Sequence, residues 1–230
     1  MLITHPDVSG ACMDPGDPDH FSKEVHFFDR PDRFQKGIDW YKERFVQPSV
    51  HTIDATPEYI RSPDVIKRMA STLPNAKIIL LMRDPVERAY SAWNHWLQSP
   101  DWKVPLPDKG FDDNIAVELD LYKQNRIQAS SMLVRGFYVV HIANLYRYYQ
   151  PDQVYLGYST HLNDDQDGEL AKLFAFLGLQ NYPIPRTVSH ARSYEAPMRE
   201  VTRNLLREIY RPFDEQLAKL LGAQPPWMDE

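Results

Sequence analysis

The stretch that decides the fold runs from Lys77 to Leu97 and reads KIILLMRDPVERAYSAWNHWL. Its opening, Lys77–Met82, is almost continuously apolar, which is typical of a strand buried on both faces of a sheet. Arg83-Asp84-Pro85 ends this strand, and helical spacing begins at Val86. The stretch therefore predicts a strand, a turn and a helix.

Strands and helices alternate along the rest of the chain, which favours a three-layer α/β fold with a mainly parallel sheet. No internal repeat or low-complexity tract divides the chain, so residues 1–230 are predicted to form a single domain. Residues 1–22 and 99–112 read as polar or loop segments. Further strands are predicted at Val25–Phe28, Val50–Ile53 and Gln153–Tyr158. Helices are predicted at Gly37–Phe45, from Ser62-Pro63 onward, and at Tyr138–Tyr149, Leu170–Leu177 and Pro197–Leu221, the last kinked or interrupted at Pro212.

The composition narrows the class of protein. The formal net charge of −6 argues against general binding to nucleic acid or to an anionic membrane. Cys12 is the single cysteine, so no intrachain disulfide can form. The sequence shows neither a long apolar run nor a leader, which predicts a soluble, cytoplasmic protein without a membrane span. The oligomeric state is left open.

Arg83 and Ser91 are candidate anion-binding residues. In open α/β sheets, ligands bind beyond the carboxyl ends of the strands, where Arg83 is expected. Its planar guanidinium suits bidentate contact with a phosphate, and Ser91 can add a hydroxyl from the neighbouring helix. The alternative is that Arg83 pairs with a local carboxylate while Ser91 only fills space.

The segment KEVHFFD, residues 23–29, carries candidate acid–base residues. In an extended segment, alternation places Glu24 and His26 on one face and Asp29 on the other. A carboxylate and an imidazole on one face can share a proton network, and either could act as a general base. The alternative is a surface glutamate beside a structurally satisfied histidine.

Both segments resemble PAPS-dependent sulfotransferases, which use 3′-phosphoadenosine-5′-phosphosulfate as donor. The pattern R-D-P-x-x-R-x-x-S-x-W is similar to the family's 3′-phosphate motif, which implies that Arg83 and Ser91 contact that phosphate and that Arg88 is structural. E-V-H-F-F-D resembles the heparan sulfate 3-O-sulfotransferases. That likeness implies a base role for Glu24, supported by His26 and Asp29.

Shorter matches extend the resemblance along the chain. The one with a direct functional implication is Ser189-His190-Ala191-Arg192, which falls where the family has S-K-G-R, a loop that closes over PAPS. Only the serine and the arginine match, and Arg192 is carried over as a donor-binding residue. The other matches are His5-Pro6-Asp7-Val8, Gly37 to Tyr41, Thr56 to Tyr59 on the acceptor side, and Gly136-Phe137-Tyr138.

The resemblance implies a P-loop-NTPase-like sulfotransferase fold and transfer of a sulfuryl group from PAPS to a hydroxyl, with an amine as the alternative acceptor group and no metal. The sequence departs from the family in lacking the first strand, the Gly-rich 5′-phosphosulfate loop and the first helix, so the domain is expected to be N-terminally incomplete. Ala55 stands where the 3-O-sulfotransferases have a lysine, which favours a neutral glycan or small hydroxylated acceptor over a polyanion.

Three alternatives to a soluble, active sulfotransferase stay open. An inactive sulfotransferase-like binding module would explain the absent loop. A nucleotide kinase shares the strand–loop–helix phosphate site, but the sequence has no Walker A lysine. A Golgi-lumenal enzyme would follow if a membrane anchor had been lost.

Overall fold

The computed structural model describes residues 2–12, 23–46, 49–97, 110–129, 131–186 and 197–228. The chain has an α/β architecture, as predicted. Its strands are β1 Val8–Gly10, β2 His51–Ile53, β3 Ile78–Met82 and β4 Val154–Tyr158. Its helices are α1 Pro31–Phe34, α2 Gly37–Lys42, α3 Pro63–Thr72, α4 Pro85–Leu97, α5 Phe111–Lys123, α6 Tyr138–Tyr146, α7 Ser159–Asp164, α8 Gln166–Leu177 and α9 Glu200–Leu221.

The described strands form two short sheets rather than one. In the first, β1 and β2 run parallel, with Val8 opposite His51 and Gly10 opposite Ile53. The second sheet consists of β3 and β4. Strand β1 lies in a segment predicted to be irregular, because three residues are too few to show a periodic pattern.

The strand–turn–helix at β3 and α4 forms where it was predicted, but β3 is not buried on both faces, because Met82 is buried while Leu81 is 44% exposed. The Asp84 carboxylate accepts a hydrogen bond of 2.8 Å from the Val86 N–H, and the Asp84 carbonyl accepts one from Arg88 N–H. These bonds satisfy N–H groups at the start of α4 that have no partner within the helix. The turn after β3 therefore also begins the helix.

The chain divides into two compact units. The first comprises residues 1–80, 144–155 and 161–189, and an aromatic-rich cluster in it includes side chains of residues 25–28. The Phe27 ring stacks on Tyr41 with centroids 4.7 Å apart and meets Phe28 edge-on at 4.9 Å. Buried members of this cluster are Ala11, Val25, Phe27, Phe28, Tyr41, Tyr59 and Val65.

The second unit comprises residues 81–143, 156–160 and 190–230. Its core joins α4, α5 and α9, and the rings of Phe137 and Phe213 stack within it at 3.9 Å. Helix α5 was not predicted, and it begins inside the segment expected to be a loop. The buried core residues are Val86, Ala89, Tyr90, Trp93, Phe111, Ile115, Met132, Leu133, Phe137, Met198, Leu206 and Tyr210.

Two local predictions are wrong. Residues 25–28 do not form a strand but lead into a turn at residues 27–29. Of the kink or interruption expected at Pro212, the interruption is absent, because helix α9 is continuous from Glu200 to Leu221. Pro212 is exposed, on the side away from the buried Tyr210 and Asp214, so the carbonyl that its missing N–H leaves unpaired can be hydrated.

Among the described helices, none is both long enough and apolar enough to cross a membrane.

Candidate functional site

The turn at residues 24–29 brings three candidate acid–base residues into one row in the first unit. His26 Nδ1 lies 2.8 Å from Asp29 Oδ2, and His26 Nε2 lies 3.4 Å from Glu24 Oε2. Side-chain exposure falls along the row, from 33% at Glu24 through 26% at His26 to 16% at Asp29. The imidazole therefore joins a half-buried carboxylate to a more accessible one.

The backbone at His26 explains why the predicted two-faced arrangement is wrong. His26 has a φ of 52°, in the left-handed region that non-glycine residues seldom occupy. With this φ and the following turn, residues 24–29 lose the alternation of a strand, and Asp29 meets the same imidazole as Glu24. The structure thus brings together residues that the strand pattern had separated.

Side chains from residues 54–59 accept hydrogen bonds from the backbone N–H groups of residues 25–27. The His26 N–H donates to Thr56 Oγ1 at 3.0 Å, and the Phe27 N–H donates to the Tyr59 hydroxyl at 2.8 Å. Thr56 and Tyr59 are both buried. The T-P-x-Y segment, expected on the acceptor side, therefore supports the backbone that carries the candidate base.

Asp54 was not predicted as a functional residue. Its carboxylate accepts hydrogen bonds from the Val25 N–H and from the hydroxyls of Thr56, Tyr59 and Tyr41. Burial, followed by the Asp54 charge, raises the pKa of Tyr41 and of Tyr59 well above the usual tyrosine range, so both remain hydrogen-bond donors. No local sequence pattern marks Asp54, because its partners lie up to 29 residues away.

Arg83 lies at the end of β3 in the second unit, as predicted. The Tyr138 hydroxyl donates to the Arg83 carbonyl at 2.9 Å and accepts a hydrogen bond from the Arg83 N–H at 3.3 Å, which holds the backbone in place. The Arg83 guanidinium makes no hydrogen bond or ion pair within the part of the chain that the structure describes. Asp84, the nearest carboxylate in sequence, bonds the N-terminus of α4 instead.

Ser91 lies in the middle of α4, partly exposed. Its hydroxyl has no hydrogen-bond partner among the described residues. Arg88 differs, because its guanidinium donates to the Met132 carbonyl. Arg88 therefore makes a structural contact, whereas contact of Arg83 with a phosphate stays a prediction.

Gly136, two residues before Tyr138, packs closely against Tyr210. A Cβ on Gly136 would lie 2.6 Å from the Tyr210 ring, so only glycine permits this packing. Burial raises the pKa of the Tyr138 hydroxyl, which keeps it protonated for its bond to Arg83.

Comparison with known proteins identifies the fold and the family. The family model of the sulfotransferase domain matches residues 11–209. The chain belongs to this family.

Relatives of this sulfotransferase-family chain include proteins named for two reactions. It is 30% identical over 261 residues to mouse bifunctional heparan sulfate N-deacetylase/N-sulfotransferase 3, a match that covers 99% of the chain and 29% of the relative. It is 25% identical to human heparan sulfate glucosamine 3-O-sulfotransferase 3B1, covering 99% of the chain and 60% of the relative. The chain thus spans less than two thirds of either relative.

A solved structure confirms the sulfotransferase fold. The sulfotransferase from Alicyclobacillus acidocaldarius superimposes with a TM-score of 0.77 at 22% identity, covering 100% of this chain and 91% of that one. At this identity the likeness concerns the fold alone.

Arg192, with Ser189 and His190, lies outside the described residues. Within the described ranges, no group of three metal-ligating side chains occurs. Ordinary packing roles hold for His51 and His141, whose rings bond the carbonyls of Leu177 at 2.8 Å and Val134 at 3.1 Å.

Proposed function

We propose that this chain is a PAPS-dependent sulfotransferase that moves a sulfuryl group to a hydroxyl of a glycan or small molecule, with an amine as the alternative acceptor group. The observation that carries the proposal is the row formed by Asp29, His26 and Glu24, with contacts of 2.8 and 3.4 Å. Its accessible end is a carboxylate, a group that can take a proton from an acceptor.

On the donor side, Arg83 and Ser91 are proposed to bind the 3′-phosphate. The donor fits these residues, because the partly buried Arg83 has no partner for its guanidinium among the described residues, and a phosphate would supply the missing counter-charge. A neighbouring hydroxyl can add a hydrogen bond. Arg192 is proposed as a further donor-binding residue on the resemblance of its sequence context alone.

On the acceptor side, Glu24 is proposed as the general base. The geometry favours a proton on His26 Nδ1, donated to Asp29 Oδ2 at 2.8 Å. In the neutral imidazole, His26 Nε2 then has a lone pair facing Glu24, so a proton received by Glu24 can be shared with His26. Asp29 would orient the ring and stabilise its charged form.

The proposed reaction is an in-line displacement. The acceptor oxygen or nitrogen forms a bond to sulfur as the bond between sulfur and the bridging oxygen breaks. Glu24 takes the acceptor proton, and adenosine 3′,5′-bisphosphate leaves with the bridging oxygen. Positioning and charge stabilisation supply most of the rate enhancement in such group transfers.

The acceptor class is proposed from charge. Ala55 is exposed close to the turn, where its N–H donates to the Lys23 carbonyl at 2.7 Å. A lysine at this position would add a cation, and alanine does not. Together with the net charge of −6, this favours an uncharged or weakly charged acceptor over a highly sulfated polysaccharide.

The test is transfer of radiolabelled sulfur from PAPS to an unsulfated polysaccharide, to heparan sulfate and to a small alcohol. The expected result is labelled product that favours an uncharged acceptor. A parallel thermal-shift titration with adenosine 3′,5′-bisphosphate reports donor binding without any acceptor. Absence of both label transfer and a thermal shift would refute the proposal, and a thermal shift without transfer to any acceptor would indicate a binding protein.

A further inference from the structure

Asp54 lies at the centre of the hydrogen bonds that define the turn carrying Glu24 and His26. It follows β2 and accepts three bonds at Oδ1: from the N–H groups of Val25 and Thr56, both at 3.2 Å, and from the Thr56 hydroxyl at 2.6 Å. At Oδ2 it accepts the hydroxyls of Tyr59 at 2.7 Å and Tyr41 at 3.2 Å. One carboxylate therefore accepts five hydrogen bonds.

Three consecutive backbone N–H groups of the turn lead to this carboxylate. Val25 N–H reaches it directly. His26 N–H donates to Thr56 Oγ1, and the Thr56 hydroxyl donates onward to Asp54. Phe27 N–H reaches it in the same way through the Tyr59 hydroxyl. The backbone on both sides of the His26 Cα is thus held through a single acceptor.

The charge on Asp54 sets the direction of these links. A hydroxyl that donates its only proton to the carboxylate presents lone pairs to the backbone N–H behind it. Hydrogen bonds to an ionised acceptor are also shorter and stronger than neutral ones. An asparagine of the same size would keep one acceptor oxygen and place an NH₂ group against donors that now point at the other.

We propose that Asp54 is a positioning residue for the Glu24–His26 pair, acting through Thr56 and Tyr59 on the backbone of residues 25–27. This inference rests on the proposed function for its kinetic consequence only. The φ of 52° at His26 is unfavourable, and the anchored N–H groups on either side hold the backbone in that conformation. Loss of the anchor allows the imidazole to leave its place between Glu24 and Asp29.

Tyr41 and Tyr59 offer a matched pair for the test. Both are buried, and both donate a hydroxyl to Asp54 Oδ2. Only the Tyr59 hydroxyl also accepts a hydrogen bond from the turn. Tyr59→Phe and Tyr41→Phe therefore remove the same group next to the same carboxylate, and only Tyr59→Phe removes a link to the backbone of the turn.

The experiment compares wild type, Asp54→Asn, Tyr59→Phe and Tyr41→Phe by steady-state kinetics and by histidine-ring NMR. The His26 resonance is assigned by its loss in His26→Gln. We expect Asp54→Asn and Tyr59→Phe to lower kcat by roughly 10- to 100-fold, the range expected for a misplaced reacting group, with a smaller change in the acceptor KM. Both should move the His26 resonance, whereas Tyr41→Phe should leave kcat within about twofold and the resonance in place.

Two outcomes would overturn the inference: equal effects of Tyr41→Phe and Tyr59→Phe, or an unmoved His26 resonance in folded Asp54→Asn. Thermal unfolding of each variant identifies any that fail to fold. If Asp54→Asn does not fold, the comparison of Tyr59→Phe with Tyr41→Phe alone tests the positioning role. If wild type transfers no sulfuryl group, the proposed function fails while the NMR comparison still tests the positioning role.

Discussion

The Glu24–His26–Asp29 turn and the Arg83 strand end differ in how their side chains are held. In the turn, the imidazole contacts a carboxylate on each side, and the backbone is anchored through Asp54. At the strand end, the Tyr138 hydroxyl fixes the backbone of Arg83, while the guanidinium has no partner among the described residues. One region orients its functional groups internally, and the other leaves its charge available.

This difference follows from the chemistry proposed for each region. A general base needs a defined orientation and protonation state before the acceptor arrives, and internal hydrogen bonds supply both. A cation that binds a phosphate gains most when no internal ion pair must first be broken. The turn at Glu24 and His26 has the more complete network of contacts, yet the phosphate is proposed to bind at Arg83, where the guanidinium has no partner among the described residues.

The largest effect is expected from Glu24→Gln, which keeps the shape of the side chain and removes the proton acceptor. Turnover should fall by roughly 100- to 10,000-fold, the usual contribution of a general base, while adenosine 3′,5′-bisphosphate binding stays unchanged. Radiolabel transfer and calorimetry measure the two quantities. Glu43→Gln, on a side chain that is 66% exposed, is the matched control and should behave as wild type. Turnover retained in Glu24→Gln would remove Glu24 from its proposed role.

An intermediate effect, on stability and not on nucleotide binding, is expected from Arg88→Leu. This variant tests whether Arg88 is structural while Arg83 binds the phosphate. The Met132 carbonyl loses its donor, so the free energy of unfolding should fall by about 1–3 kcal/mol. Chemical denaturation measures this loss, and nucleotide titration should show an unchanged affinity. Unaltered stability together with lost nucleotide affinity would indicate that Arg88, rather than Arg83, meets the phosphate.

A further prediction concerns pH and Asp214, a buried carboxyl in α9 of the second unit. Burial, with a smaller contribution from Asp84, raises the pKa of Asp214 to about 7. An unfolded aspartate titrates near pH ~3.9, so between about pH 4 and 7 the folded state holds a proton that the unfolded state has released. The free energy of unfolding should therefore fall as pH rises through this window.

Asp214→Asn removes this dependence. Its thermal stability relative to wild type should rise between about pH 4 and pH 8, whereas the exposed neighbour variant Glu215→Gln should follow wild type. Parallel pH curves for wild type and Asp214→Asn would show that the buried carboxyl does not titrate in this range.

Local pattern was sufficient to predict β3, its turn and α4. The apolar run Lys77–Met82 and the following Pro85 carry that information within a few residues of each other. The helix containing Ile142 and Leu145 was also predicted, because its buried positions recur at helical intervals. Where adjacent residues determine the structure, periodicity identifies it.

Local pattern failed where distant residues determine the backbone. Residues 25–28 alternate like a strand, but hydrogen bonds to Thr56 and Tyr59 hold them in a different conformation. Asp54 carries no motif of its own, and its importance is visible only once residues distant in sequence meet. Resemblance to the family predicted the Glu24–His26–Asp29 set, whereas alternation had placed Asp29 on the opposite face.

The most direct test of the account is calorimetric comparison of adenosine 3′,5′-bisphosphate with adenosine 5′-phosphate, which lacks the 3′-phosphate. Wild type should bind the bisphosphate at least about tenfold more tightly, since a charge-assisted contact contributes roughly 1.5–3 kcal/mol. Arg83→Gln should lose this preference, and Arg126→Gln, at an exposed arginine of the same unit, should keep it. Equal binding of the two nucleotides by wild type, or an unchanged preference in Arg83→Gln, would contradict the assignment of Arg83 as the residue that binds the 3′-phosphate of the sulfuryl donor.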